Sequence, residues 1–384
     1  MLTRITVQGF KSLQDVEIEL GQVNVFVGAN GSGKSNLLEA VGLLGAAASR
    51  QVDDQALLRR GVRPGTSSLY QSSFKGLEIL GKIALRATWY AEKDSFEYRV
   101  EFTDMTDVRH QPWWYDGKLS VNGQEIDLRL FDYLYDDPKE PQVARDFFIA
   151  LKDYAIFAPN TPALRGVEPD ITQRSPVGLA GGQLAEAVAE LQDVEKDTFG
   201  TLDLDELLEL LDWVDKIAVT SPSREIISPS VPTVRNIIQF TDRWMHEERN
   251  RLSAYDASEG ALYVLFALVL ALHPWSPRLF AIDNFDQAMH PRLARATMRL
   301  FCQQILKASP ERQALLTTHN PLVLDGLDLR DDRIRLFAVE RNSRGATQVH
   351  RVQVSDEVLQ ATQEGLSLSN LWVMGRLGGV PDLF

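Results

Sequence analysis

The chain has 384 residues, enough for one large domain with an insertion or for two. With 44% hydrophobic and 24% charged residues it has the balance of a globular protein, and its single Cys302 excludes an internal disulfide or a cysteine-built metal site. The net charge of −13 argues against broad, non-specific nucleic-acid binding, which needs a Lys/Arg surface to displace counterions. The histidines form no ligand-spaced pair, the longest apolar run (261–272) is too short to span a bilayer, and no signal segment opens the chain. A cytoplasmic protein with no membrane partner is expected.

Residues 2–27 read as two or three strands around a polar break at Gly9 to Lys11. The last, 23–27, is nearly all apolar, as a strand covered on both faces should be. It runs into a glycine-rich turn and then a predicted helix over 36–48. Residues 50–75 read as a loop. Its Arg59, Arg60, Arg63 and Lys75 are either a local basic groove or a solvated loop face. From Leu77 to about Ile126 the period becomes two, through Ile83, Leu85, Ala87, Trp89 and then Phe96, Tyr98, Val100. This predicts an antiparallel β lobe, with hairpin turns at Asp116-Gly117 and Asn122-Gly123. Trp113-Trp114-Tyr115 reads as core or edge packing ahead of a base-stacking platform. Helical periodicity at 143–151, 184–191 and 202–213, broken by Pro/Ser-rich stretches such as 221–232, predicts a mostly helical insertion. From Ser258 onward come a helix (259–272), a strand (278–283), a helix (291–308), a strand (313–318) and a strand near 334–340. The expected division is therefore 1–128, an N-terminal half with the β lobe; 129–250, the insertion; and 251–384, a C-terminal half.

Gly28-Ala29-Asn30-Gly31-Ser32-Gly33-Lys34-Ser35 fits G-x-x-x-x-G-K-[ST] in full, with the required strand before it and helix after it. The glycines let backbone N–H groups converge on phosphate oxygens. Lys34 reaches the β- and γ-phosphates, Ser35 ligates Mg²⁺, and the helix opening at Asn36 adds its positive end. ATP and Mg²⁺ are the expected ligands. Arg278 to Asp283 is an apolar strand ending in a carboxylate, which would hold the Mg²⁺ opposite Ser35. Leu315 to Pro321 is a second buried strand ending in a polar switch, where His319 would bond the γ-phosphate or the attacking water.

In this order the pieces resemble the ABC/SMC-like ATPases of the RecF, SMC and OLD type, and above all the stand-alone bacterial "AAA family ATPase" group. The matching stretches are ITVQGFKS (Ile5 to Ser12), the P-loop, Ser258-Glu259-Gly260, the Walker B strand, Met289-His290-Pro291 and the H-loop Thr317 to Pro321. The resemblance implies an α/β, ABC-type P-loop ATPase head carrying the β lobe and the insertion. It implies that Ser258-Glu259-Gly260 contacts the γ-phosphate held by another subunit in a head-to-head homodimer or higher oligomer. The plainer alternative is a helix cap, and Ala257 stands where the family's leading leucine would be. The family has Glu after the Walker B Asp, whereas this chain has Asn284, which can orient water but not accept its proton. Asp286 either takes over that role or serves at the dimer interface, so hydrolysis is expected to be slow. Gln71, with Gln55 behind it, is the expected Q-loop ligand on the metal side. About 60 residues follow His319, too few for the Toprim nuclease of OLD proteins, so any nuclease is expected in trans. The resemblance further implies anti-phage defence with a nearby-encoded effector. The alternatives are a DNA-binding repair factor and a nucleotide-binding regulator that never hydrolyses. A terminal apolar helix within 366–384 is expected to pack on its own core in preference to a partner.

Overall fold

The structure, a computed structural model, describes residues 1–76, 81–91, 94–103, 115–126, 142–170, 172–192, 197–232, 236–353 and 367–377. β1 (Arg4–Phe10) and β2 (Leu13–Glu19) alternate buried with wetter positions and pair as a hairpin. β3 (Val23–Val27) is buried throughout. It enters the glycine turn and α1 (Lys34–Ala48), which starts two residues earlier than the predicted 36 because Gly33, at φ 110°, already turns the backbone into the helix. The stretch expected to be loop contains α2 (Asp54–Leu58), capped by Asp53, and a 3₁₀ turn, Ser67–Tyr70. β4 (Lys82–Ala91), β5 (Asp94–Thr103), β6 (Tyr115–Val121) and β7 (Gln124–Ile126) extend the first hairpin into an antiparallel sheet ordered β2-β1-β4-β5-β6-β7. Asn122 and Gly123 turn β6 into β7 with φ of 51° and 80°, the mirror-image turn such pairs favour. Asp116-Gly117 does not turn. Both residues lie in β6 opposite Glu101 and Val100, where ladder pairing outweighs local turn preference. Trp113 and Trp114 lie outside the described residues; Tyr115 packs on Phe102 and donates to Ala47 O at 3.0 Å.

The next stretch, where a mostly helical insertion was expected, carries α3 (Gln142–Lys152), β8 (Ala155–Phe157), α4 (Thr161–Leu164), α5 (Leu184–Gln192), β9 (Thr198–Phe199), β10 (Leu202–Asp203), α6 (Leu204–Leu210), β11 (Val214–Thr220), β12 (Ile237–Asp242) and β13 (Arg251–Ser253). Helices here are accompanied by a three-stranded antiparallel sheet, β11-β12-β13. The helix read at 202–213 shrinks to Leu204–Leu210, because Asp203 caps it and Val214 already pairs with β12. Five further elements fall close to their predicted bounds: α7 (Glu259–Leu272), β14 (Leu279–Ile282), α8 (Pro291–Lys307), β15 (Gln313–Thr318) and β16 (Ile334–Arg341). α9 (Leu368–Val373) lies within the expected terminal stretch, and a 3₁₀ turn (Pro321–Gly326) and β17 (Thr347–Val352) had no counterpart in the sequence reading.

The central sheet has the order β17-β16-β3-β15-β14-β8, parallel except for β17. β8, from the middle of the chain, is thus an edge strand of this sheet. Side chains alternate strictly across it. Val23, Val25, Val27, Phe280, Ile282 and Leu316 face one core with α7 and α8, while Phe26, Leu279, Ala281 and Leu315 face α1 and the antiparallel sheet. α7 is buried at every position but Glu259, as a helix apolar on all sides must be. α9 docks on the second 3₁₀ turn, where Ser369 donates through N and Oγ to Asp325 at 2.9 and 2.7 Å. The terminal helix therefore packs on its own core, as expected. No helix among the described residues is long and apolar enough to cross a membrane.

Candidate functional site

β3, β15 and β14 are neighbours and parallel, so their C-terminal ends open on one edge of the sheet. In such sheets that edge is where ligands bind. The glycine-rich turn leaves β3 there, Asp283 leaves β14 and His319 leaves β15.

The turn is held from behind. A side chain on Gly28 would place its Cβ 2.1 Å from Val339 O in β16, and one on Gly33 would meet Thr347 Oγ1 of β17 at 2.2 Å. Thr347 Oγ1 donates to Ser32 O at 2.7 Å and contacts Ser12 Oγ at 2.7 Å, which in turn accepts from Asn36 Nδ2 at 2.8 Å. Arg341 Nε donates to Gly31 O at 2.7 Å. Ser12 closes the ITVQGFKS stretch read from the sequence, whereas Thr347 and Arg341 carried no signal there. α1 begins without a side-chain cap and with no acidic residue in its first turn, and Ser32 Oγ is buried with no partner among the described residues. Unspent helix N–H groups and an orphaned buried hydroxyl suit the oxygens of a phosphate chain.

Lys34 Nζ donates to Gly28 O and Ala29 O at 2.7 and 2.9 Å and lies 3.2 Å from His319 Nδ1. Burial pulls its pKa down to about 8, against the opposing pull of Asp283 and Asp286. His319 Nε2 lies 2.9 Å from Asn284 Oδ1. The amide oxygen can only accept, so Nε2 carries the proton and Nδ1 is left to accept from Lys34. Ser35 Oγ donates to Asp283 Oδ2 at 2.9 Å, Thr317 Oγ1 donates to Asp283 Oδ1, and Asn284 N donates to Thr317 Oγ1 at 2.8 Å. Thus Lys34, Ser35, Asp283, Asn284 and His319 meet at one point, tied by Thr317. The acid-plus-hydroxyl pair Asp283 and Ser35 has the hard oxygen donors that Mg²⁺ prefers.

Asn284 sits at φ 58°, a left-handed conformation that Asn tolerates better than most residues. Asp286 follows in the same turn, with Oδ1 buried and unpartnered among the described residues. Ser258 stands at the N-terminus of α7, exposed, its side chain making no cap bond among the described residues. Glu259 is exposed too, and a Cβ on Gly260 would lie 3.3 Å from Ala288 O beyond Asp286, so this helix start abuts the turn carrying Asn284 and Asp286. His290, from the Met289-His290-Pro291 stretch, caps α8. Asn30 and Gly31 lie at the exposed tip of the glycine turn. Gln71 forms a β-bridge with Phe10, next to Ser12, and no hydrogen bond among the described residues joins it to Ser35 or Asp283. Gln55 lies on the exposed face of α2.

Of the basic cluster only Arg60 is turned inward; Arg59, Arg63 and Lys75 are exposed. Arg60 is buried, its guanidinium donating to Ala56 O at 2.9 Å, Lys152 O at 2.8 Å and Ser49 Oγ, and burial lowers its pKa to about 10. Arg63 Nε lies 2.7 Å from Glu39, a buried carboxylate one turn beyond Ser35 that Lys11 also contacts.

A parallel sheet whose strand ends gather a P-loop, an Asp and a His, backed by an antiparallel lobe, defines an ABC-type P-loop ATPase head. The family model described as "AAA domain, putative AbiEii toxin, Type IV TA system" matches residues 23–325, and the chain belongs to that family. Among solved structures, an Smc head bound to the C-winged helix domain of ScpA aligns over 94% of this chain and 99% of its own, with TM-score 0.55 and 13% identity. An Smc head with an extended coiled coil, bound to the C-terminal domain of ScpA from Pyrococcus furiosus, aligns over 94% and 98% with TM-score 0.54 and 11% identity. These likenesses establish the fold. Locally the chain is 42% identical over 64 residues to the DNA replication and repair protein RecF of Magnetococcus marinus, and 45% identical over 60 residues to that of Halothermothrix orenii. Those matches span 16% and 15% of this chain and 17% and 16% of the relatives.

Proposed function

We propose that the protein is an ATP-driven dimeric switch that hydrolyses its nucleotide slowly and controls a partner effector, a nuclease acting in trans, in bacterial anti-phage defence. The observation that supports this best is the junction of Lys34, Ser35, Asp283, Asn284 and His319 on one sheet edge. Backbone N–H groups from Gly31 to Ser35, with Asn30 and Asn36 flanking them, bind the triphosphate, and Lys34 gives up its carbonyl partners to do so. Ser35 and Asp283, with Gln71 in a closed state, hold Mg²⁺, which supplies neutralisation of charge on the phosphoryl oxygens. Ser258, Glu259 and Gly260 of a second subunit complete the site. His319 and Asn284 orient the attacking water, but an amide cannot take its proton. Asp286, with its unpartnered oxygen, is the remaining carboxylate in the turn. The insertion is the part of the chain through which closure is passed to the effector.

The expected turnover is far below the ~10 s⁻¹ typical of enzymes, falling further in Asp286→Ala, and Asn284→Glu is expected to raise kcat by about tenfold or more. Turnover of tens per second in wild type would remove the slow-switch reading. For the biological role, the neighbouring gene product should co-purify with wild type in an ATP-dependent manner and not with Lys34→Ala, and phage plating should track the same variant. The RecF matches favour a second reading, a repair factor that clamps duplex DNA. It requires DNA binding whose log affinity falls linearly with log salt concentration.

A further inference from the structure

The chain between β8 and Arg165 runs from one half of the proposed site to the other. At its start, Asp283 N donates to Phe157 O at 2.9 Å, so the strand that ends in the metal-side carboxylate is bonded directly to the end of β8. The next residues are pinned, Ala158 N to Leu179 O at 2.8 Å and Asn160 N to Ala180 O at 3.1 Å, and Asn160 caps α4 by accepting from Ala163 N at 2.9 Å. The segment then lies along the first two turns of α7. Tyr263 OH lies 3.4 Å from both Pro159 O and Thr161 Oγ1. One turn earlier on the same face, where residues four apart are neighbours, Arg165 Nη2 lies 3.6 Å from Glu259 Oε1. The Arg165 guanidinium also sits 5.6 Å from the Tyr255 ring centroid, in the loop that leads into Ser258. Its Nε is buried without a partner among the described residues. A part-exposed pair of this kind contributes little to fold stability, and it holds the residues immediately flanking Ser258.

We propose that residues 158–165 form a strap that transmits nucleotide binding at a subunit's own Asp283 to its own Ser258, with Arg165 as the positioning residue. ATP taken up by one subunit thereby prepares the helix start which that subunit offers to its partner. The proposal deepens the dimeric-switch reading and rests on it for the use made of Ser258; the coupling itself is a property of one chain.

The test is amide hydrogen exchange over 258–263 in the full chain, diluted until ATP produces no dimer. Adding ATP and Mg²⁺ to wild type should slow exchange there by about tenfold, within the usual range of site-to-site coupling. In Arg165→Gln the response should vanish, while the Kd for ATP stays within about twofold of wild type, because the P-loop is untouched. Melting temperatures of wild type and variant should agree, which separates positioning from a folding defect. Arg165→Lys, which keeps the charge and loses the planar fork, should recover part of the response. An equal response in wild type and Arg165→Gln, or none in wild type, overturns the strap. A wild type that shows the response yet never dimerises at high concentration removes the head-to-head reading and leaves the strap supported.

Discussion

Lys34 is the residue whose chemistry depends most on what occupies the site. With its pKa at about 8, it carries its full charge at neutral pH only against the desolvation of its surroundings. The sign follows from the lowered value. Between about pH 8 and the ordinary lysine value of 10.5 the unfolded chain binds the proton more tightly, so stability of the nucleotide-free protein rises with pH through that window from this group. A triphosphate favours the charged form, so ATP binding at pH 8 to 8.5 should take up a fraction of a proton, falling towards zero at pH 7. Calorimetry in buffers of different ionisation enthalpy reads this directly, and an observed heat at pH 8 to 8.5 that is the same in every buffer would contradict it. The glycines make a second residue-scale prediction. Gly28→Ala drives a Cβ to within 2.1 Å of a backbone oxygen that cannot step aside, so the turn or β16 must shift. A cost of about 1–3 kcal/mol in denaturant unfolding and loss of ATP binding are expected. At this scale the sequence was highly legible for Lys34, Ser35 and Asp283, because backbone approach to phosphate leaves a spacing that few other needs produce. It was silent on Thr317 as the tie between Asp283 and Asn284, and on Thr347, because a single hydroxyl brought in by tertiary pairing has no local pattern.

At the scale of elements, the strands that read clearly are those with a two-sided apolar run or a long alternation: β3, β15, β4 and β5. β8 and β11 to β13 were not read, because three to seven residues between Pro/Ser-rich segments offer too few periods to separate strand from loop. β8 matters most of these, since its three apolar residues set the edge of the central sheet and the start of the strap. The terminal helix was legible as an element, but its seat was not. It rests on the 3₁₀ turn that begins at Pro321, two residues after His319, and the Asp325 to Ser369 bonds are its polar anchor. Asp325→Ala should release a six-residue helix too short to persist alone, at a cost of about 1–2 kcal/mol. The measurement is tryptic cleavage after Arg376, expected to accelerate about tenfold for each ~1.4 kcal/mol lost. An unchanged cleavage rate would show that Leu371, buried beneath the helix, anchors it without the polar pair.

At the scale of the whole molecule, the proposed switch is a dimer. One subunit gathers Lys34, Ser35, Asp283, Asn284 and His319, yet Ser258 stands on a different helix, exposed and with its hydroxyl unspent on its own cap. In the proposed dimer a second copy related by a twofold axis would put each Ser258 against the other's glycine turn, an isologous contact that closes on itself. The charge distribution bears on what such a dimer can hold. The net charge is −13, yet of the basic cluster only Arg60 is buried, while Arg59, Lys75 and Arg63, the last beside Glu39, stay exposed. A local basic face thus remains on an acidic molecule, and the salt dependence of DNA binding decides between a protein partner and duplex DNA. Ser258→Arg places a bulky cation where the γ-phosphate of the partner's nucleotide would approach the start of α7, so close approach of the two heads is blocked while the variant's own P-loop is intact. ATP affinity at dilution should therefore stay within about twofold of wild type. The ATP-dependent dimer of wild type, followed by sedimentation at micromolar concentration, should be lost in the variant and in Lys34→Ala. A Ser258→Arg protein that still dimerises with ATP would place the subunit contact elsewhere on the surface and leave Ser258 as a helix start alone.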